Sequence, residues 1–456
     1  MRNSFLFLLC VAFYLLVAAF VGLGFDFDAT LSISKQEASA SVCAEPVVPL
    51  QCRDLPLTMQ SPPEDYLVFF GPSDAGSYVR GAIDLVETDA PLKVWSRSGY
   101  GTWPPGMFFL NGSALVLNVP IGVMQWLFAA SLWSIALSLA GLSIARRFDN
   151  RLWMLAPLPV LFLPLFATNF LHYGIVMSES SSSALFMIGL LLLAFPVPFG
   201  RAKYWVWFLS GIVFAAAVMM RAQVLYIALF AMLGFVTLTL VALVSRRFVS
   251  SWRRPAVGFF VGFFCGMLPW MEANGRLYSV DYAYSLPFIV AEYPNAGERN
   301  WLALGGIRSA CIVDEQRCEE IRTSFEAGGV SYHEMRSEIL TSFFTHPGDF
   351  ISHKLPILVT YFMADNAYPA ATVYKSMSME NVIYLAIFTL SLIYLASKRD
   401  VNSFGVAVLL LLLLFSIVGP PFAIHYEVRY LYLAKVLMLT SPLLVLGRKD
   451  LFCLRR

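Results

Sequence analysis

Apolar runs of roughly 17 to 25 residues, the length that spans ~30 Å of hydrocarbon, recur along this chain and constrain its fold more than any other feature. About ten can be read, near 4–24, 121–145, 153–170, 181–199, 205–220, 222–244, 255–271, 379–397, 403–421 and 430–446. The stretch from Tyr204 to Val244 must turn, because about 40 residues at ~1.5 Å each would cross the membrane twice. Arg221, near its middle, marks the turn. Hydrophobic residues make up 58% of the chain and charged ones 14%, against about a quarter in soluble domains, which excludes an ordinary soluble domain. The expectation is an all-α polytopic membrane protein, a bundle of about ten transmembrane helices with juxtamembrane helices and two large extracytoplasmic loops.

Lys and Arg in short loops set orientation. They cluster at Arg2, Arg146/Arg147/Arg151, Arg201/Lys203, Arg246/Arg247/Arg253/Arg254, Lys398/Arg399 and Arg448/Lys449/Arg455/Arg456, all on one side of a ten-helix arrangement. This predicts a multi-pass plasma (inner) membrane protein with both termini cytoplasmic. Its segments are a retained first helix (1–24), an extracytoplasmic loop (25–120), helices two to seven (121–271), a second extracytoplasmic loop (272–378), and helices eight to ten with a cytoplasmic tail (379–456). A net charge of only +2 gives no basic field for nucleic acid. Cys43 with Cys52, and Cys311 with Cys318, share loops in an oxidising compartment and are expected to form two local disulfides.

No Walker loop, HExxH, paired CxxC or GxSxG occurs, and no internal repeat of the transporter kind. The informative residues are polar groups where apolar runs meet the extracytoplasmic face, a costly position unless used or satisfied. In order these are Asp26 and Asp28, Asp74, GTWPPG (101–106), HYGIVMSE (172–179), Arg221, PWMEANGR (269–276), HPGDFISHK (346–354) and HYEVRY (425–430). After Asp74, which stands where an N-cap would, Tyr78, Ala82, Leu85 and Val86 follow the i, i+4, i+7, i+8 spacing of a helix with one greasy face. Pro104 and Pro105 force a turn that returns this helix to the membrane surface.

SDAGSYVRGAIDL, TWPPGMFFL, the MSE step, an Arg ending an apolar helix, PW with a following Asn, and a late RY together resemble the GT-C superfamily of polyprenyl-phosphate-sugar-dependent glycosyltransferases. That group includes protein O-mannosyltransferases and the lipid A aminoarabinose transferase. The likeness covers most of the chain. Relatives with KPPL carry a Lys for the donor phosphate, whereas Trp103 stands before Pro104 here, so another cation must serve. Asp74 is followed by Ala75, so the aminoarabinose-type Asp-Glu pair is absent.

The resemblance implies transfer of a sugar, with inversion, from a polyprenyl-phosphate donor to a lipid, glycan or protein acceptor. Such chemistry needs a base for the acceptor hydroxyl and cations or hydrogen-bond donors for the departing phosphate. Asp74 is the first candidate for the base, with Asp28 and Asp26 behind it. Arg221 and Arg429 are the preferred phosphate ligands because Arg binds phosphate oxygens bidentately. Arg276, Lys354, His353 and His425 follow, and headgroup snorkelling is the alternative for these cations. His172, Tyr78 and Trp103 are candidates for positioning substrate. Glu179 is read as positioning the acceptor, joining Asp74 at a divalent Mg or Mn ion, or simply matching the positive end of a helix. No cofactor is required by the sequence. Competing readings are an O-antigen ligase or polymerase, which would need its key Arg and His in the late loop, and a lipid or sugar transporter or flippase.

Overall fold

A computed structural model of the protein describes residues 2–24, 105–117, 119, 121–171, 178–195, 203–221, 250–273, 378–398, 401–423 and 431–452, with scattered positions in 78–86, 223–227 and 348–363. Among the described residues every element is helical. The helices are α1 (Arg2–Gly24), α2 (Gly106–Val116), α3 (Ile121–Arg147), α4 (Ser178–Ala194), α5 (Lys203–Met220), α6 (Ser250–Ala273), α7 (Met379–Ser397), α8 (Val401–Ala423) and α9 (Tyr432–Phe452). Three segments, Phe5–Gly22, Val123–Arg147 and Met379–Ser397, are long and apolar enough to cross a membrane. The apolar run expected at 222–244 lies almost wholly outside the described residues.

One expected span is not a regular helix. Between Arg151 and Phe170 the chain forms two 3₁₀ turns, Arg151–Leu155 and Leu158–Phe162, and a π-helix, Leu165–Phe170. Pro157, Pro159 and Pro164 explain the break, since each lacks an amide hydrogen and clashes with the preceding turn. Other groups satisfy the backbone released there. Asn150 Oδ1 accepts from Leu152 N at 2.9 Å and Thr168 Oγ1 donates to Pro164 O at 2.6 Å. Leu171 N closes the wide turn on Phe166 O at 2.8 Å.

Helix α4 is the centre of the bundle. Ser178 through Leu192 are all buried, so the helix has no face left for lipid or water, as expected of a segment enclosed on every side. The run Ser180–Ser183 keeps its first turns narrow. Trp133 Nε1 of α3 reaches in to Ser180 Oγ at 3.2 Å, and Trp133 stacks on Phe170 at 5.0 Å between ring centroids. Helices α5 and α6 touch backbone to backbone, because a Cβ added at Gly211 would meet Phe259 O and one at Gly262 would meet Phe208 O. Close approach at small residues is how helices associate where lipid removes the hydrophobic drive. The outer helices instead expose apolar side chains, such as Leu8, Leu16 and Phe20 on α1 and Ile383, Leu390 and Ile393 on α7.

Contacts between helices fix which ends lie together. Trp126 Nε1, early in α3, donates to Leu171 O at 2.8 Å, whereas Gly141, late in α3, lies against Met154 O. Gln223 Nε2 bonds Ile417 O at 3.3 Å, and Ser441 Oγ bonds Ser391 Oγ at 3.0 Å. The start of α3, α4, α7 and α9 and the end of α1, α5 and α8 therefore form one end of the bundle. The exposed cations Arg146, Arg147, Arg151 and Lys398 lie at the other.

Candidate functional site

The greasy face that follows Asp74 is buried against α2. Tyr78 and Ala82 are helical and buried, and the Tyr78 ring meets Phe108 edge-on at 5.5 Å. A Cβ at Gly112 would stand 3.4 Å from Leu85 Cδ2 and 3.5 Å from Val86 Cγ2. Helix α2 in turn presses on the end of α5, where a Cβ at Gly106 would come within 2.6 Å of Met219 O. Pro105 begins α2 with helical φ and ψ, a position that tolerates proline because its amide has no helical partner. Three sequence-distant segments, around 78, 106 and 220, thus meet at one end of the bundle.

Arg221 is the next residue of that end. Its Nη1 donates to Glu179 Oε1 at 2.6 Å and to Ser178 Oγ at 3.2 Å, while Nε donates to Gln223 Oε1 at 3.2 Å. The side chains are 12% and 6% exposed, so this is an ion pair in low dielectric. The carboxylate belongs to the first turn of α4, where the helix dipole also favours a negative charge. Of the readings of Glu179 made from sequence, the helix-end charge matches this arrangement, in which Glu179 also pairs with Arg221.

A second polar group lies on the neighbouring flank. Glu380, in the first turn of α7, accepts from Leu165 N at 3.2 and 3.3 Å and from the Tyr384 hydroxyl, and so ties α7 to the start of the π-helix. Tyr432 Oη donates to Asn169 Oδ1 at 2.9 Å, and Asn169 Nδ2 donates to Thr168 Oγ1 at 2.9 Å. Lys435, three residues further along α9, is fully buried, its Nζ 5.6 Å from the centroids of both Tyr432 and Phe362. Glu380 and Lys435 were absent from the sequence-predicted set. A lone ionisable residue inside the apolar runs at 379–397 and 430–446 was the signal available.

Of the residues singled out from sequence, the structure brings Arg221 and Glu179 together and seats Tyr78 close by through α2. Asp26, Asp28, Asp74, Trp103, His172, Arg276, His353, Lys354, His425 and Arg429 lie outside the described residues, as do Cys43, Cys52, Cys311 and Cys318. Cys10 and Cys265, both in apolar helices, are free thiols. Comparison with protein-family models, with curated proteins and with solved structures finds no match to this chain.

Proposed function

We propose that the protein is a GT-C-type membrane glycosyltransferase that moves a sugar from a polyprenyl-phosphate-linked donor to a lipid, glycan or protein acceptor at the extracytoplasmic face. The observation that carries this reading is the meeting of the Tyr78 helix, the α2 turn and the Arg221–Glu179 pair at one end of an all-helical bundle. Asp74 stands four positions before Tyr78 in the sequence, and we take it as the base that serves this end. Arg221 is held there with its guanidinium oriented by Ser178, Glu179 and Gln223.

In the proposed reaction Asp74 takes the proton of the acceptor hydroxyl as its oxygen attacks the anomeric carbon. The bond to the donor phosphate breaks with inversion, and the polyprenyl phosphate leaves with its negative charge held by Arg221 and Arg429. A water-poor bundle end strengthens such charge contacts. Binding would use the apolar outer faces for the polyprenyl chain and the polar end for phosphate and sugar.

The test is transfer by purified protein from a polyprenyl-phosphate sugar. Asp74→Asn is expected to lower turnover on the order of a hundredfold or more with donor binding largely kept, while Arg221→Lys chiefly weakens donor binding. Normal turnover in Asp74→Asn beside a dead Asp28→Asn would move the base to Asp28. Full activity of both variants would remove the glycosyltransferase reading.

A further inference from the structure

Two buried amides meet where α2 packs on the start of α3. Asn111 is 0% exposed and lies within the stripe of Met107, Phe108, Gly112, Ala114 and Leu115 that α2 buries. Gln125, 4% exposed, stands four residues after Ile121 and four before Ala129 on α3, and both of those are buried. Each amide therefore occupies a place where helical spacing calls for an apolar side chain. Gln125 Nε2 donates to Asn111 Oδ1, yet neither Asn111 Nδ2 nor Gln125 Oε1 has a hydrogen-bond partner among the described residues. A buried polar atom left unpaired costs free energy, so two apolar side chains would serve the packing at least as well. Turning both amides over changes nothing in this balance, because one donor and one acceptor still remain.

A donor beside an acceptor is the complement of a hydroxyl group, which accepts one hydrogen bond and donates another. Neither amide is charged, so the pair suits a neutral polyol better than a phosphate or a cation. Its place in the bundle fits such a ligand. Helix α2 opens at Gly106, where a Cβ would meet Met219 O and Met220 Sδ at the end of α5, and Asn111 lies five residues further on, about 7.5 Å of helix rise. Arg221 follows Met220 directly. Trp126, the neighbour of Gln125, donates to Leu171 O at the same end, so the two amides and the Arg221 guanidinium share it. The cover over this part of α2 is apolar: Tyr78 rests on Phe108, one turn before Asn111, and Leu85 and Val86 rest on Gly112, the residue after it.

We propose that Asn111 and Gln125 form a hydroxyl-binding subsite that reads the sugar of the polyprenyl-phosphate donor, reached as the Tyr78 helix shifts on Phe108 and Gly112. The unpaired Nδ2 donates to a sugar hydroxyl oxygen, and the unpaired Oε1 accepts from the same hydroxyl or its neighbour, while Arg221 holds the phosphate. Selectivity follows, because a buried site built to hydrogen-bond a hydroxyl strongly rejects an analogue that lacks it. That the ligand is a donor sugar rests on the glycosyltransferase reading, whereas the hydroxyl site itself stands on the two unpaired amide atoms.

Full-length protein in detergent is titrated with sugar-free polyprenyl monophosphate and with polyprenyl monophosphates carrying mannose, glucose, N-acetylglucosamine or aminoarabinose. Affinity is read from intrinsic fluorescence and stability from thermal unfolding, and the quantity compared is the factor by which the best sugar strengthens binding over the sugar-free lipid. Asn111→Leu combined with Gln125→Met removes both amides and is expected to melt no lower than wild type. This double variant is expected to bind the sugar-free lipid as wild type does and to lose about tenfold or more of the sugar factor. An unchanged sugar factor overturns the subsite, as does a wild-type protein that no sugar helps to bind. Equal weakening toward the sugar-free lipid overturns it too, because the pair would then shape the bundle end without reading the sugar. Should the double variant not fold, Gln125→Asn decides: it keeps both amides but draws them apart by one methylene, and an undiminished sugar factor sinks the proposal. On the wild-type protein itself, equal binding of every monodeoxy form of the best sugar sinks it without any variant. An amide-dependent sugar factor without sugar transfer removes the enzyme reading alone, whereas transfer with an amide-independent sugar factor removes this subsite alone.

Discussion

Arg221 and Glu179 show how one residue pair can serve both stability and binding. Removing either partner leaves the other charge in a poorly hydrated bundle end, so Arg221→Met and Glu179→Met are each expected to cost about 3–5 kcal/mol. Replacing both together should recover most of that loss, because the pair's attraction mainly offsets its own desolvation. Thermal unfolding of the three variants checks this, and a double variant as unstable as the two losses added would contradict it. The double variant is further expected to bind donor poorly despite its stability. That combination separates a binding role from a structural one.

At the scale of elements, two features set the geometry. The contact of α5 with α6 is backbone against backbone at Gly211 and Gly262, which fixes the direction in which α5 delivers Arg221. Gly262→Leu forces a side chain into the Phe208 carbonyl and is expected to destabilise by at least about 1–3 kcal/mol. Gly405→Ala is the matched control: no atom lies within 4 Å of a Cβ there, so the change should stabilise by about 0.5–1 kcal/mol. Equal effects at the two positions, measured by unfolding in one detergent, would show that helix approach is not limiting. The second feature is the proline-broken segment 151–171, which widens into a π-helix and thereby turns Asn169 toward Tyr432.

For the whole molecule, the sorting of charge between the two ends carries the topology. Arg146, Arg147, Arg151 and Lys398 are exposed at one end, while Glu179, Glu380 and Lys435 are buried at the other. With basic loops retained in the cytoplasm, the buried polar end is expected to face the extracytoplasmic side. Reporter fusions should report residues 60 and 330 outside and 150, 250 and 450 inside. Labelling of Cys453 from outside intact cells by an impermeant thiol reagent would reverse the orientation and remove the proposed access of Asp74 to an extracytoplasmic donor.

The sequence by itself determined where several of the helices lie. The run read at 379–397 is α7 (Met379–Ser397), Arg221 follows the last residue of α5, and Tyr78 and Ala82 form the buried face that their spacing implied. These are local properties, set by run length, apolarity and i, i+4 repetition, and a lone charge in an apolar run is likewise visible without a fold. The run at 153–170 was less legible because its apolar content indicates a span while three prolines dictate how it bends. Only the tertiary structure decided that Glu179 meets Arg221 across 42 positions, that Glu380 caps the start of the π-helix, and that Lys435 lies beside Phe362. Helices such as α4 are apolar or small on every face, so periodicity does not say how they are rotated or which helices surround them. Pairing between such helices is settled by shape, by close approach at glycine and serine, and by the need to satisfy each buried polar group, all of which exist only once the bundle is assembled.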